Sequence, residues 1–405
     1  MKNISIIGST GYIGRKTLEV IRENRNRFRV VALSCGNNVA LVLEQIREFN
    51  PLLVSVSTEA GAEKVRKAIK DMARAAGGKI GTEKDKDTIV RDEIEIVSRE
   101  EGMVQVATHS EADFVISAAV GAIGLIPTLR ALESGKAVAI ANKEALVVGG
   151  ELIMREAKKQ NVQVLPIDSE HSALHQCLRG ERIEDVKRLI LTASGGPFRN
   201  LGKEELEKVT PEEALKHPTW DMGRKITIDS ATMMNKGLEI IEARWLFGIL
   251  QERIDVFLHP QSIVHSMVEF NDGSLKCQMG ITDMRGPIQY ALTYPERIEA
   301  DLMSLDLTAM GPLEFFHPDP ERFPCLRLAY DAIAVGGTMP AILNASDEIA
   351  VQHFLDGEIS FTKIPEIIER VMKHAQVVHD ITLEAVLEAD RQARSETLRF
   401  IRELN

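Results

Sequence analysis

Short apolar, β-branched runs recur along the first 160 or so residues, each followed by a stretch with helical spacing. The runs are Ile4–Ile7, Val30–Leu33, Leu52–Val56, Phe114–Ser117 and Ala137–Ala141, with Val162–Ile167 just beyond. Runs of this kind suit strands buried on both faces. Their alternation with helices predicts an α/β, doubly wound parallel sheet of the Rossmann-like class. The polar, charged stretch from Gly77 to Glu100 breaks the alternation and is expected to decorate the sheet edge.

From Val186 the pattern changes. "VKRLILTAS" predicts a strand, and the segment after it is rich in Gly, Pro and charge. With so little apolar content, residues 195–225 are expected to form a mobile loop at an active site. Within it, Thr210-Pro-Glu-Glu213 is a capping box that opens a short helix. "SIVHSMVEF" and "SLKCQMG" alternate on either side of Asn271-Asp272-Gly273, a strong hairpin signal. The second domain is therefore expected to be α+β with an open mixed sheet. Helical spacing dominates the C-terminal part, where Leu383, Val386 and Leu387 are expected to share one helix face. The expected division is 1–158, 159–293, a linker at 294–319 and a helical bundle at 320–405.

Length and charge narrow the function. A chain of 405 residues is too long for one core. A net charge of −11 argues against a nucleic-acid or anionic-membrane surface. The four cysteines form no Cys-x-x-Cys pair, which argues against a disulfide framework or structural zinc and suits reduced thiols in the cytoplasm. No run approaches the ~18 apolar residues of a membrane span, and the chain opens directly as a strand without a leader pattern.

Gly8, Gly11 and Gly14 fall between the first strand and its helix, a variant of the dinucleotide fingerprint. The second strand ends in Gly36, Asn37 and Asn38 with no acid. The acid that would hold a ribose 2′-hydroxyl is missing, so repulsion against a 2′-phosphate is missing too, and the turn favours NADP(H). The alternative is that the two amides merely make a turn.

Asp168 and Glu170 stand where a strand ends. Two like charges there either share a cation or belong to a solvated helix cap. A third acid, Glu239, follows Asn235 and Lys236 on a second helical segment, which tilts the choice toward a cation. Ser194, beside two glycines at a strand end, suits a phosphate or simply ends the strand. Lys143, after another strand, is either a crevice residue or a solvated helix start. His171 and His175, four apart, permit a metal pair but suit packing better.

Taken together, "GSTGYIG", "ANKEALV", "PIDSEHSAL", "TASGGPFR", "HPTWDMGRKITIDSATMMNKGLEIIEARWLF", "HPQSIVHSMVEF" and "DMRGPIQYAL" closely resemble the 1-deoxy-D-xylulose 5-phosphate reductoisomerase family. The resemblance implies three domains, a homodimer, NADPH, and one Mg²⁺ or Mn²⁺ per site, with Co²⁺ as a substitute. It implies rearrangement and reduction of a sugar phosphate to 2-C-methyl-D-erythritol 4-phosphate in non-mevalonate isoprenoid synthesis. Carried over, the metal ligands are Asp168, Glu170 and Glu239. The phosphate end meets Ser194, Ser230, Asn235 and Lys236 with His217 close by. Lys143 and Ser169 meet the ketol end, and Trp220 lies over the substrate. Thr10, Gly11, Tyr12, Ile13, Gly36, Asn37, Asn38, Asn142, Glu144 and Gly223 contact NADPH. Two positions depart from the family pattern: Tyr12 replaces a small serine, and Asn37 stands where a basic residue is frequent.

Two other classes fit parts of the pattern. An aspartate-semialdehyde-type dehydrogenase shares the glycine turn but needs a nucleophilic cysteine. A non-catalytic NADP sensor would have no use for three acids and Lys143.

Overall fold

The apolar runs become seven parallel strands: β1 (Lys2–Ile7), β2 (Phe28–Cys35), β3 (Leu53–Val56), β4 (Glu95–Ser98), β5 (Phe114–Ser117), β6 (Ala137–Ile140) and β7 (Val164–Pro166). The computed structural model describes residues 1–75, 94–216 and 223–404. The strand order β4-β3-β2-β1-β5-β6-β7 reverses at β1, as in a doubly wound sheet. Ile4, Ile6, Val31, Leu33, Val115 and Ile116 are buried, as expected for strands covered on both faces. The charged stretch before Glu100 does more than decorate the edge, because its last residues are the edge strand β4. No apolar run announces this strand, since its side chains are only partly buried. Most of the stretch, residues 76–93, lies outside the described residues.

At the switch point, Gly8 has φ +83° and a Cβ there would lie 2.6 Å from the Ala118 carbonyl oxygen. A Cβ on Gly14 would lie 2.3 Å from the Gly8 carbonyl oxygen, so this glycine lets α1 (Tyr12–Glu23) start hard against the turn. Asn38 caps the next helix through its side chain, and the Ser57 hydroxyl donates to the Asn37 amide oxygen at 2.8 Å. The two amides therefore do serve as a turn, and β2 ends without an acid.

The described residues form two compact units: 1–142 with 155–167 and 284–300, and 143–154 with 168–283 and 301–405. This differs from a linear division at 158 and 293. Helix α2 (Lys143–Gln160) changes unit between Met154 and Arg155, and it is kinked earlier at Gly149, whose φ −133° and ψ 26° are not helical. The helix Arg285–Thr293 returns to pack on α1.

The second unit is built on a four-stranded mixed sheet ordered β11-β10-β8-β9. Strand β8 (Val186–Ala193) and the hairpin β10 (Val264–Phe270) with β11 (Leu275–Met279) match the expectation. β9 (Ile254–Leu258), parallel to β8, was not singled out, because Asp255 interrupts its apolar residues. Leu189, Leu191, Val256 and Val268 enter one large core. That core is shared with α5 (Met234–Phe247), α6 (Pro324–Val335), α7 (Met339–Leu355), α8 (Lys363–His374) and α9 (Leu383–Leu404). In α9 the buried face runs through Val386, Ala389, Ala393, Phe400 and Ile401, while Leu387 is exposed, contrary to expectation. The stretch after Gly195 is not loose from its start. Phe198, Leu206 and Ala214 are buried in this core, and Thr210 forms the expected capping box. No described helix is long and apolar enough to cross a membrane.

Glycine decides how closely α2 approaches α5. A Cβ on Gly150 would lie 2.2 Å from Trp245 Cδ1. Gly150→Ala should therefore cost about 1–3 kcal/mol by overpacking. The check is urea unfolding followed by tryptophan fluorescence, in which the midpoint should fall; an unchanged midpoint would mean that the ring moves aside freely.

Candidate active site

The site lies within the second unit, where the first turns of three helices meet. Lys143 is the first residue of α2 and is almost fully buried. Asp168 precedes α3 (Ser169–Leu178) as its N-cap residue. Asn235, Lys236 and Glu239 lie on the early turns of α5, one helical face apart as their spacing requires.

The question of cap or cation is answered by where the Asp168 side chain goes. Its backbone carbonyl accepts from Ser172 N–H at 2.8 Å, as an N-cap's should, but its carboxylate makes no capping bond. Oδ2 instead lies 2.5 Å from Lys143 Nζ. The Ser169 hydroxyl also turns away from the helix backbone, donating to Glu170 Oε2 at 2.5 Å. The backbone follows the cap pattern, and both acids point into the cluster.

Two ammonium groups hold three carboxylates together. Lys143 donates to Asn235 Oδ1 at 2.8 Å and to Glu239 Oε1 at 3.3 Å. Lys236 donates to Glu170 Oε1 at 2.8 Å and to Glu239 Oε2 at 2.5 Å. Asn235 Nδ2 donates to Glu239 Oε1 at 2.6 Å. Burial opposes the charge on both lysines. Asp168, Glu239 and Glu242 nonetheless hold Lys143 well above its ordinary pKa, and Glu170 and Glu239 hold Lys236 up. Burial works against Glu170 as well, but Lys236 and the Ser169 hydroxyl keep it well below the usual range. Glu239 is pushed up to about 7 by burial and then by the charge of Glu170.

Behind these residues lies a layer of which sequence reading singles out His171, as a packing residue, but not Glu242. His171 is fully buried, and its Nε2 lies 2.8 Å from the Glu239 backbone carbonyl oxygen, which can only accept. Burial lowers its pKa to about 4, so the ring is neutral, with the proton on Nε2 and a lone pair on Nδ1. That lone pair faces Glu242 Oε2 at 3.4 Å. Glu242 is raised well above its ordinary pKa by burial and then by Asp168. A signal existed: His171 is i+3 from Asp168, and Glu242 is i+3 from Glu239.

One oxygen from each of Asp168, Glu170 and Glu239 lies within 4.8 Å of the others. Three carboxylates against two ammoniums leave one negative charge in a buried pocket. Hard oxygen donors with that residual charge fit a divalent cation such as Mg²⁺ or Mn²⁺. Asp168, His171 and Glu242 form a second such group, in which burial and the charge of Asp168 oppose a negative charge on Glu242.

The residues expected at a phosphate lie nearby in the same unit. Ser194 follows β8, and its hydroxyl accepts from Gly196 N–H at 3.2 Å. Gly195 and Gly196 both have positive φ, a turn that exposes successive N–H groups. A Cβ on Gly196 would lie 2.6 Å from the Ser230 carbonyl oxygen, so this turn abuts the end of α4 (Arg224–Thr232). Met233, in the left-handed region at φ 64°, then swings the chain into α5. Gly223 is the N-cap of α4. His217 and Trp220 lie outside the described residues. Thr10, Gly11, Tyr12, Ile13, Gly36, Asn37, Asn38 and Asn142 all fall in the first unit, around the glycine turn and the β2 and β6 ends, while Glu144 lies next to Lys143 in the second.

Comparison with known proteins identifies the family. Residues 4–150 match the family model for 1-deoxy-D-xylulose 5-phosphate reductoisomerase. Residues 164–247 and 279–396 match two models for the C-terminal domains of that enzyme. The chain belongs to the 1-deoxy-D-xylulose 5-phosphate reductoisomerase family. It is 52% identical to the reductoisomerase of Chlorobaculum tepidum over 99% of this chain and 100% of that one. It is similar to the solved structure of the Zymomonas mobilis enzyme in complex with NADPH, with TM-score 0.88, 39% identity and 99% of each chain covered. It is also similar to a reductoisomerase solved with NADPH, fosmidomycin and magnesium, with TM-score 0.89, 38% identity, and 100% and 99% of the two chains covered.

Lys143 balances two buried acids at once. Lys143→Met should therefore destabilise the protein by roughly 3 kcal/mol, because Asp168 and Glu239 lose their counter-charge. Thermal unfolding checks this. Added Mn²⁺ should raise the melting temperature of the variant more than that of the wild type, whereas equal shifts would mean that the ion binds elsewhere.

Proposed function

We propose that this chain converts 1-deoxy-D-xylulose 5-phosphate to 2-C-methyl-D-erythritol 4-phosphate, with NADPH as reductant and Mg²⁺ or Mn²⁺ as the metal. The observation that carries this reading is the buried cluster of Asp168, Glu170 and Glu239 beside Lys143 and Lys236. Asp168, Glu170 and Glu239 hold the cation. When bound, the cation supplies Lewis acidity at the ketol oxygens, and NADPH supplies the reducing equivalent for the branched aldehyde.

The rest is the work of side chains. Lys143 stays protonated, because the surrounding acids hold its pKa up, so it presents positive charge where oxygen charge develops. Ser169, beside Glu170, orients the ketol end. Ser194, Ser230, Asn235 and Lys236 bind the phosphate, with His217 close by and Trp220 covering the substrate. Binding energy from that remote end positions the reacting carbons and excludes water. His171, neutral and tied to the Glu239 carbonyl, keeps that helix turn in place. The glycine turn with Thr10, Gly11, Tyr12 and Ile13 takes the pyrophosphate. Gly36, Asn37 and Asn38 accept the adenosine end, and Asn142, Glu144 and Gly223 contact the rest of NADPH. The acid-free end of β2 supports NADPH over NADH.

A homodimer is supported by exposed apolar side chains in the second unit, among them Leu275, Met303, Leu307, Phe315 and Phe316. Free cysteines at positions 35, 177, 277 and 325 support the cytoplasm. The cysteine-nucleophile alternative is disfavoured: burial pushes the thiols of Cys35 and Cys177 up to about 12 and about 11, and raises Cys325 too.

The test is NADPH absorbance with 1-deoxy-D-xylulose 5-phosphate. Oxidation should require both the sugar phosphate and Mg²⁺ or Mn²⁺, and should stop with a chelator. No oxidation with all components present would refute the proposal.

A further inference from the structure

We propose that Lys225, Asp229 and Asp347 form an ion-paired anchor that positions Ser230, and through it the phosphate end of the substrate. This rests on the phosphate role proposed above for Ser230. The three residues are separate from the carboxylate cluster and have no part in its chemistry. Lys225 Nζ lies 2.6 Å from Asp229 Oδ2, one turn along α4, and 2.7 Å from Asp347 Oδ2 on α7. Both aspartate side chains are essentially buried, at 2% and 0% exposure.

A buried ion triad is a poor device for stability alone. Desolvation consumes most of the Coulombic gain, and apolar packing of equal volume does as well. It supplies direction, since an ammonium bonded to two fixed carboxylates allows one placement of its helix. Ser230 follows Asp229 directly. Its carbonyl is pressed against Gly196, where not even a methyl group fits. Two residues further on, α4 ends and the Met233 joint leads into the α5 turn bearing Asn235 and Lys236. A shift of α4 relative to α7 would move Ser230 against the Ser194 turn and would carry the start of α5 with it. Burial, and then the charge of Asp347, raise Asp229 above its ordinary pKa, while Lys225 opposes that rise. Lys225 acts through Ser230 and is a positioning residue.

The full chain is assayed with Mn²⁺ as wild type, Lys225→Met, Asp347→Asn, Ser230→Ala and Asp347→Asn/Ser230→Ala. The readouts are kcat, KM for 1-deoxy-D-xylulose 5-phosphate, KM for NADPH, and the thermal midpoint. Asp347→Asn keeps the side chain's size and leaves the Lys225–Asp229 pair, so it decides the matter if Lys225→Met does not fold. Lys225→Met and Asp347→Asn should each raise KM for the sugar phosphate about tenfold, while KM for NADPH stays within about twofold. In the double variant, Ser230→Ala should add less than its effect alone, because both changes act at one hydroxyl. A lowered thermal midpoint with unchanged KM in Asp347→Asn would reduce the triad to a structural role and overturn the proposal. Unchanged KM in Ser230→Ala would instead remove the phosphate role itself, and the anchor's purpose with it.

Discussion

Like charges in a buried pocket are the constraint around which the second unit is arranged. Asp168, Glu170 and Glu239 come together only because Lys143 and Lys236 stand between them. Each ammonium is shared between two acids, so neither acid can relax toward solvent without breaking another pair. With Glu239 ionised the cluster carries one net negative charge, and this residual charge makes it attractive to a divalent cation. A pocket neutralised completely by lysines would hold no metal, and one with no lysine would expel its own acids or protonate them.

Helix geometry makes this arrangement possible. Three helix starts converge, and each contributes residues from its first turns, where side chains project from a rigid backbone. The backbone of Asp168 begins α3 while its side chain is free to serve the cluster. Glycines permit the close approaches behind it. Gly150 admits Trp245, and Gly237 lets α5 approach α6, since a Cβ there would lie 2.6 Å from Ala329 Cβ. His171 and Glu242 then brace α5 from within, one by a hydrogen bond to the Glu239 carbonyl and the other by facing the imidazole lone pair.

Much of this was legible in the sequence. The parallel strands, the glycine turn and the Asn271-Asp272-Gly273 hairpin follow from local patterns that tertiary contacts do not override. The three acids were legible only as a set, because Asp168 and Glu170 look like an ordinary helix cap until Glu239 is considered. β4 escaped notice because an edge strand needs no apolar run. β9 did not stand out because Asp255 interrupts its apolar residues. Leu387 was misplaced because periodicity cannot say which side of an apolar stripe meets the core. His171 reads as a packing residue, and it is fully buried; Glu242 was missed because its place behind the cluster depends on burial, which no local pattern shows. The partition of the chain was hidden too: α2 reads as one helix, and nothing in its sequence marks the change of unit between Met154 and Arg155.

The central claim is that Glu239 completes a cation site distinct from the dinucleotide turn. Mn²⁺ affinity, read from the free-ion paramagnetic signal, and NADPH affinity, read by fluorescence, can be measured on the same preparations of wild type and Glu239→Gln. The account predicts Mn²⁺ binding weakened by at least about 100-fold with NADPH affinity within about twofold of wild type. Equal Mn²⁺ affinity in the two proteins, or a parallel collapse of NADPH binding, would contradict it.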